Sequence, residues 1–347
     1  MKSLIPDCLL RRYKQLRDVR LLSECHTADF ALVGLGQHSL TTLLPVLHSC
    51  QIRLKYLCMT APWKARLAAR RFPSSTSTTQ LQDVLTDESV RGVFVCASPQ
   101  AHFRLAKQVI ESGKSLFIEK PPCQSLAQLD ELIALQRREG AVCVVGLQRR
   151  FAPAVRLLRQ RLRREKKLLH YDLKFLTGAY PEGDVLSELF IHPLDLVTHL
   201  FGAADVLAFR RVERSFLIML QHRNIVGTLL LSEMHSWTDV TERLTVSCGS
   251  GDYELWASDE LVFTPRPHSF LGLPMEKLRG RKKTSEWLYE RNHVLPVLAQ
   301  NSLVALGYYD ELLSFVRMVE HRTRQTDSDL ASLRETYVLM EKLRGFF

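Results

Sequence analysis

Between residues 30 and 146 short apolar runs alternate with amphipathic stretches, and this rhythm limits the possible folds more than any other feature of the chain. The runs at 30–33, 53–58, 92–97, 116–118 and 141–146 are too short for helices. Most are apolar on consecutive residues, as strands buried on both faces are. Between them lie an amphipathic continuation through Leu47 and helix patterns at 62–71, about 81–85, 103–112 and 125–138, with residues 73–79 as a polar linker. The alternation predicts a doubly wound parallel sheet of Rossmann type with helices on both faces.

Past residue 150 the texture changes. A basic helix at about 153–164 gives way to strand-like runs at 169–176, 205–211, 214–221, 225–232, 242–247 and 252–256 with few helices between them. That succession predicts an α+β domain with a mainly antiparallel sheet. Residues 265–286 read as an exposed loop, followed by helices at about 303–321 and 327–344. At the other end, Leu4, Leu9, Leu10, Leu16, Leu21 and Leu22 among basic residues predict an amphipathic helix that packs as an arm. A chain of 347 residues is long for one core. The expected division is an N-terminal helical arm (1–28), a dinucleotide-binding domain (29–150) and an α+β domain for substrate binding and oligomerisation (151–347).

Composition removes several classes. Hydrophobic residues make up 46% and charged residues 24%, the balance of a soluble globular protein. No apolar run is long enough to span a membrane. Asp7, Arg11, Arg12 and Lys14 interrupt any signal-peptide core, so a cytoplasmic location is expected, with membrane-surface contact or a transit peptide as the other reading of the arm. The 8 cysteines are scattered and none forms a CxxC pair, which argues for reduced thiols and against a disulfide framework or metal site. The net charge of +10 raises nucleic acid or an anionic ligand. Much of the excess sits in 156–167 and 277–283, and no aromatic residue interleaves the first run as base stacking needs. Nucleic acid is therefore not expected. An acidic or phosphorylated small molecule remains compatible.

Chemistry concentrates at strand ends. The segment Phe30-Ala31-Leu32-Val33-Gly34-Leu35-Gly36-Gln37-His38-Ser39 reads as strand, glycine turn and helix start, the arrangement that lets backbone approach a pyrophosphate. Ser39 holds the third small position. The second strand ends in Met59 and Thr60, without the carboxylate that NAD sites place on the ribose, so NADP is favoured over NAD. Thr60, Lys64 and Arg66 are then candidate phosphate contacts, unless the two cations only face water. The strand at 92–97 leads through Ser98 and Pro99 to His102, either a site residue or a helix-capping one. Lys120 leaves the strand at 116–118 between Glu119 and Pro121-Pro122, where a partly desolvated lysine can move protons. An ordinary loop lysine is the other reading. In 187–202 Glu188, His192 and Asp195 fall at helical spacing on one face, with His199 one turn further on.

Taken in order, VGLGQHS (33–39), CASPQAHF (96–103), SGKSLFIEKPP (112–122), GLQRRFAP (146–153), IHPLDLVTHLFG (191–202) and GYYDELLSF (307–315) resemble the Gfo/Idh/MocA family of NAD(P)-dependent oxidoreductases. The resemblance implies that Lys120 is the catalytic lysine. It implies too that His192 and Glu188 stand for the family's His and Asp pair, Glu188 being one methylene longer. With Gly34, Gly36, Gln37 and His38 of the turn, it places Thr60, Ser98, Pro99, His102, Glu119, Lys120 and Gln148 along the cofactor. The implied reaction is hydride transfer between a nicotinamide and a sugar, polyol or related hydroxyl or carbonyl compound, in a homodimer or homotetramer. Two other readings stay open: a non-catalytic cofactor-binding sensor or scaffold, motivated by Met59, Ser39 and Glu188, and reduction of a non-sugar double bond.

Overall fold

The computed structural model describes residues 7–23, 25–180, 183–267, 269–270, 273–274, 284–295, 297–323 and 326–346. After α1 (Asp7–Ser23) come β1 (Asp29–Val33), a π-helical turn Ser39–Leu43 running into α2 (Leu44–Ser49), β2 (Arg53–Cys58), α3 (Pro62–Arg71), β3 (Thr76–Thr78), α4 (Leu81–Thr86), β4 (Val90–Val95), α5 (Pro99–Glu111), β5 (Ser115–Glu119), α6 (Leu126–Glu139) and β6 (Cys143–Gly146). The 6 strands pair in parallel in the order β3-β2-β1-β4-β5-β6. The order reverses between β1 and β4, and a crevice opens there at the carboxyl ends of the strands.

The apolar runs are continuous because both faces are covered. Phe30, Leu32, Phe94, Phe117 and Val144 point into one buried cluster and Ala31, Val33, Val93, Val95, Leu116, Ile118 and Val145 into the other. The second cluster is closed by Val109 and Ile110 of α5 and Leu129 and Leu132 of α6. The first includes Leu44 and Leu47 of α2, Ala68 of α3 and, from the far end of the chain, Phe315 of the helix Tyr308–His321. Phe315 packs its ring 5.1 Å from Phe94 and 6.0 Å from Phe117. A helix placed after the second sheet thus completes the first. The polar linker expected at 73–79 contains β3, whose β-branched threonines pair with Tyr56 and Cys58 at the sheet edge, where polar side chains are tolerated.

The rest builds a second sheet. After α7 (Pro153–Leu162) come β7 (Leu168–Leu176), a π-helical turn Val185–Leu189, α8 (Ile191–Phe201), β8 (Ala204–Val212), β9 (Ser215–His222), β10 (Val226–Ser232), β11 (Thr241–Cys248), β12 (Gly251–Trp256), β13 (Glu260–Pro265) and β16 (Glu286–Glu290). The 8-stranded order is β16-β13-β12-β11-β7-β10-β9-β8, antiparallel except where β10 runs parallel to β7. The expected runs at 169–256 are all strands. Within the expected loop, β14 (Ser269–Phe270) and β15 (Leu273–Pro274) form a small hairpin, and the basic run 277–283 lies outside the described residues. Phe190, Leu194 and Val197 pack against Phe216, Ile218 and Leu220 on the covered face.

Elsewhere the structure departs from the sequence expectation. The helix expected at 303–321 breaks at Gly307, whose φ of +94° and absent Cβ, which would lie 2.0 Å from the Gln148 carbonyl oxygen, admit only glycine. The helix expected at 327–344 begins as a 3-10 turn and is α-helical over Arg334–Arg344. Of the arm's expected leucines, Leu9 and Leu16 are more than half exposed, while Leu4 and the side chains of Leu10, Leu21 and Leu22 lie outside what the structure describes. After α1 the chain is tied down where the Thr27 N–H and His26 Nδ1 meet the Glu320 carboxylate, each at 2.7 Å. No described helix is long and apolar enough to cross a membrane.

Candidate active site

The crevice at the β1/β4 reversal has a volume of about 750 Å³ and is walled by Gly34, Gly36, Gln37 and His38 from the β1 turn, Met59 and Thr60 after the end of β2, Lys64 of α3, and Ala97 and Ser98 after the end of β4. That size is within the range of small-molecule sites. Gly34 has φ +96°, and a Cβ there would lie 2.2 Å from the Cys96 carbonyl oxygen, so the turn closes only on glycine. At Gly36 a Cβ would meet nothing within 4 Å, so its bare backbone faces the opening. Ser39, fully buried, donates to the Gly36 carbonyl at 3.0 Å and accepts the Gly36 N–H at 2.8 Å, which braces the turn from behind. A clash-bound glycine, an open glycine and a crevice at the strand ends fit a dinucleotide. Arg66 is exposed and does not line the crevice, whereas Arg104 of α5 does.

The end of β5 forms the second part of the site. Glu119 is buried, and its Oε1 lies 3.1 Å from His38 Nε2, joining β5 to the glycine turn. Lys120 follows, half-buried, and its Nζ donates to the main-chain carbonyl of Glu188 at 2.6 Å. Burial lowers the Lys120 pKa, and the nearby Arg149 guanidinium lowers it further, against Glu119 and Glu188. His192, on the first turn of α8, is held neutral: burial first, then the charges of Arg149, Lys120 and His38 push its pKa well down. Lys120 and His192 therefore share one electrostatic environment.

Residues 28–147 match the family model for the NAD-binding Rossmann fold of the GFO_IDH_MocA oxidoreductases. This match bears out the resemblance over the first sheet. It is similar to an uncharacterized oxidoreductase of Escherichia coli K12, 29% identical over 142 residues that make up 38% of this chain and 41% of that protein. It is also similar to the scyllo-inositol 2-dehydrogenase (NAD(+)) of Bacillus subtilis, 27% identical over 197 residues, 51% of this chain and 55% of the relative. The matches span 41%, 40% and 43% of the length of the first curated relatives. Among solved structures, a dehydrogenase from Chromobacterium violaceum superposes with a TM-score of 0.76 at 22% identity, over 92% of this chain and 95% of that one, a likeness of fold.

The expected site residues separate into two groups. Gly34, Gly36, Gln37, His38, Thr60 and Ser98 line the crevice, and Glu119, Lys120, Glu188 and His192 gather beyond His38. Pro99 is the first residue of α5. His102 is not at the crevice surface: it is 1% exposed and its Nδ1 donates to the Pro121 carbonyl at 2.7 Å, so it braces the loop after Lys120. Gln148 is buried at the end of β6, its carbonyl pressed against Gly307.

Glu188 leaves the common face expected for it with His192, Asp195 and His199, which lie at helical spacing on one α-helix. Residues 185–189 are wound as a π-turn, with the Phe190 N–H donating to the Val185 carbonyl at 2.9 Å, which shifts Glu188 out of register with α8. The Glu188 carboxylate instead accepts the Tyr180 hydroxyl at 2.7 Å. Asp195 is buried in a two-bond pair with Arg150, at 2.9 and 2.5 Å, and His199 lines a different cleft.

Residues not singled out as site residues in the sequence complete the site. Arg149 forms a buried pair with Glu242 of β11, Nε to Oε1 at 2.9 Å. Burial would raise the Glu242 pKa, but Arg149 outweighs it and holds the carboxyl ionised. Glu311, 1% exposed, has its pKa driven well up by burial and by Glu119, and its Oε1 has no hydrogen-bond partner. The signals for Arg149 and Glu311 were their places inside the GLQRRFAP and GYYDELLSF segments; Glu242 gave none. Among the described residues no cluster suits a metal ion.

Proposed function

We propose that this chain is an NAD(P)-dependent dehydrogenase or reductase of a sugar, polyol or related hydroxyl or carbonyl compound, with Lys120 handling the hydroxyl proton. The observation that carries the reading is the Lys120 Nζ, held at 2.6 Å by the Glu188 carbonyl with a lowered pKa, one residue beyond a Glu119 that contacts the glycine turn. When bound, the nicotinamide supplies or accepts the hydride. The neutral Lys120 amine takes the substrate hydroxyl proton during oxidation and returns it during reduction. His192, uncharged, offers a second hydrogen bond to the same oxygen. Gly36 and the helix start behind it receive the pyrophosphate. The scyllo-inositol dehydrogenase relative supports a polyol-like substrate.

The lack of a carboxylate at Met59-Thr60 and the presence of Lys64 in the crevice support a preference for NADP. The 29–150 and 151–347 division then separates cofactor from substrate binding. Exposed Leu217, Met219, Leu230 and Trp256 on the open face of the second sheet support a homodimer or homotetramer formed through that face, and free cysteines fit the cytoplasm.

The test is a calorimetric titration with NADPH and NADH followed by turnover across a sugar, polyol and carbonyl panel. Tighter NADPH binding and turnover of a polyol are the expected results. Cofactor binding without turnover on any member would replace the enzyme by a cofactor-binding sensor, and binding of neither nucleotide would remove both readings.

A further inference from the structure

A second cleft of about 330 Å³ lies on the second domain, bordered by the C-terminal ends of α7 and α8, the start of β7 and the turn between β9 and β10. It shares no lining residue with the dinucleotide crevice. Its polar walls are Arg159, Arg163, His199, Arg223 and Asn224, with Phe201 as an apolar side. His199 lies 7 residues beyond His192 on the same helix, about 10 Å along its axis.

The charge balance of this cleft is positive. Arg159 is paired with Asp327 at 2.6 Å and contributes no net charge. Arg163 and Arg223 form no salt bridge among the described residues, although Asp327 also faces the Arg163 charge, and the three arginines against this one carboxylate leave an excess of two guanidiniums. The C-terminal ends of α7 and α8 offset this by about half a charge each, so the guanidiniums prevail. His199 lines the same cleft. Burial, then Arg150 and Arg159, hold its pKa down at about 3, against the opposing pull of Asp195 and Asp327. A concave site with two forked donors, an amide and an apolar wall suits an anion with a small organic body.

We propose that this cleft is an anion site, separate from the dinucleotide crevice, that binds a small phosphate-bearing molecule between Arg163 and Arg223. It stands independently of the oxidoreductase reading, because none of its residues touches the crevice. A bound phosphate there would add negative charge beside His199, which lines the same cleft, and make that ring easier to protonate.

The probe is inorganic phosphate, followed by calorimetry and by NMR of the labelled His199 ring, with sodium chloride at matched ionic strength as control. The result expected is saturable binding with an upward shift of the His199 pKa. In Arg163→Gln/Arg223→Gln the affinity should fall about tenfold or more, as loss of charge-assisted bonds implies. An unchanged melting temperature in that variant establishes that it is folded. Absence of saturation, an equal effect of chloride, or unchanged phosphate affinity in the double variant would each overturn the proposal. Citrate in place of phosphate distinguishes the ligand class: citrate binding more tightly than phosphate contradicts the phosphate assignment.

Discussion

The Lys120 Nζ is held by the main-chain carbonyl of Glu188 at 2.6 Å, while the Glu188 carboxylate turns away to accept the Tyr180 hydroxyl at 2.7 Å. A carbonyl survives every substitution at its own position. Glu188→Gln should therefore keep Lys120 in place and lower kcat by less than about tenfold, well under the ~10²–10⁴ assigned to a proton-transferring group. Steady-state rates at saturating cofactor measure this. A loss of about a thousandfold would mean that the carboxylate itself handles the proton.

The two glycines of the β1 turn should fail differently. Gly34→Ala forces a Cβ to within 2.2 Å of the Cys96 carbonyl at φ +96°, and should cost about 2–4 kcal/mol in urea unfolding. Gly36→Ala meets no atom within 4 Å, so the fold should keep its stability to within about 1 kcal/mol, the cost of ordinary substitutions. Its NADPH affinity should fall about tenfold or more, because the methyl enters the space the pyrophosphate needs.

Arg149 and Glu242 are buried together, with side-chain exposures of 15% and 11%. Glu242→Gln leaves the guanidinium without its counter-charge and should destabilise the protein by about 3 kcal/mol. The double change Arg149→Met/Glu242→Leu should recover most of that loss in denaturant unfolding, because neither charge then remains buried. A double variant less stable than Glu242→Gln contradicts this.

Glu311 makes stability depend on pH in the direction opposite to a salt-bridged carboxylate. Its folded pKa lies well above the ordinary value, through burial and Glu119. Between the unfolded and folded pKa the native state binds the extra proton, so stability is greatest below the unfolded value and is lost as pH rises toward the folded one. Glu311→Gln removes that loss. It should raise the melting temperature at pH 8 by about 2 °C or more and leave it unchanged near pH 4. Equal shifts at both pH values would contradict the assignment.

The first sheet was legible because strands buried on both faces, such as Phe30–Val33 and Val93–Val95, leave unbroken apolar runs, and because the Gly34 turn has a local steric cause. Lys120 was legible from its place at a strand end. What escaped the sequence depends on distance or on winding. Nothing near Arg149 announces Glu242, 93 residues away. The 3.6-residue period used to align Glu188 with Asp195 and His199 fails at the π-turn Val185–Leu189, and His102 reads like a site residue until Pro121 is seen to take its ring N–H. Phe315 gave no sign that it would return to the first sheet, since its run matches an ordinary amphipathic helix.

The most direct measurement of the central claim is kcat for Lys120→Met against the unaltered protein on a turned-over polyol, with cofactor affinity determined on the same samples. Proton handling by Lys120 predicts a dissociation constant for NADPH within about threefold and a kcat lower by about a thousandfold. A Lys120→Met protein that binds cofactor and keeps kcat to within about tenfold would contradict the claim.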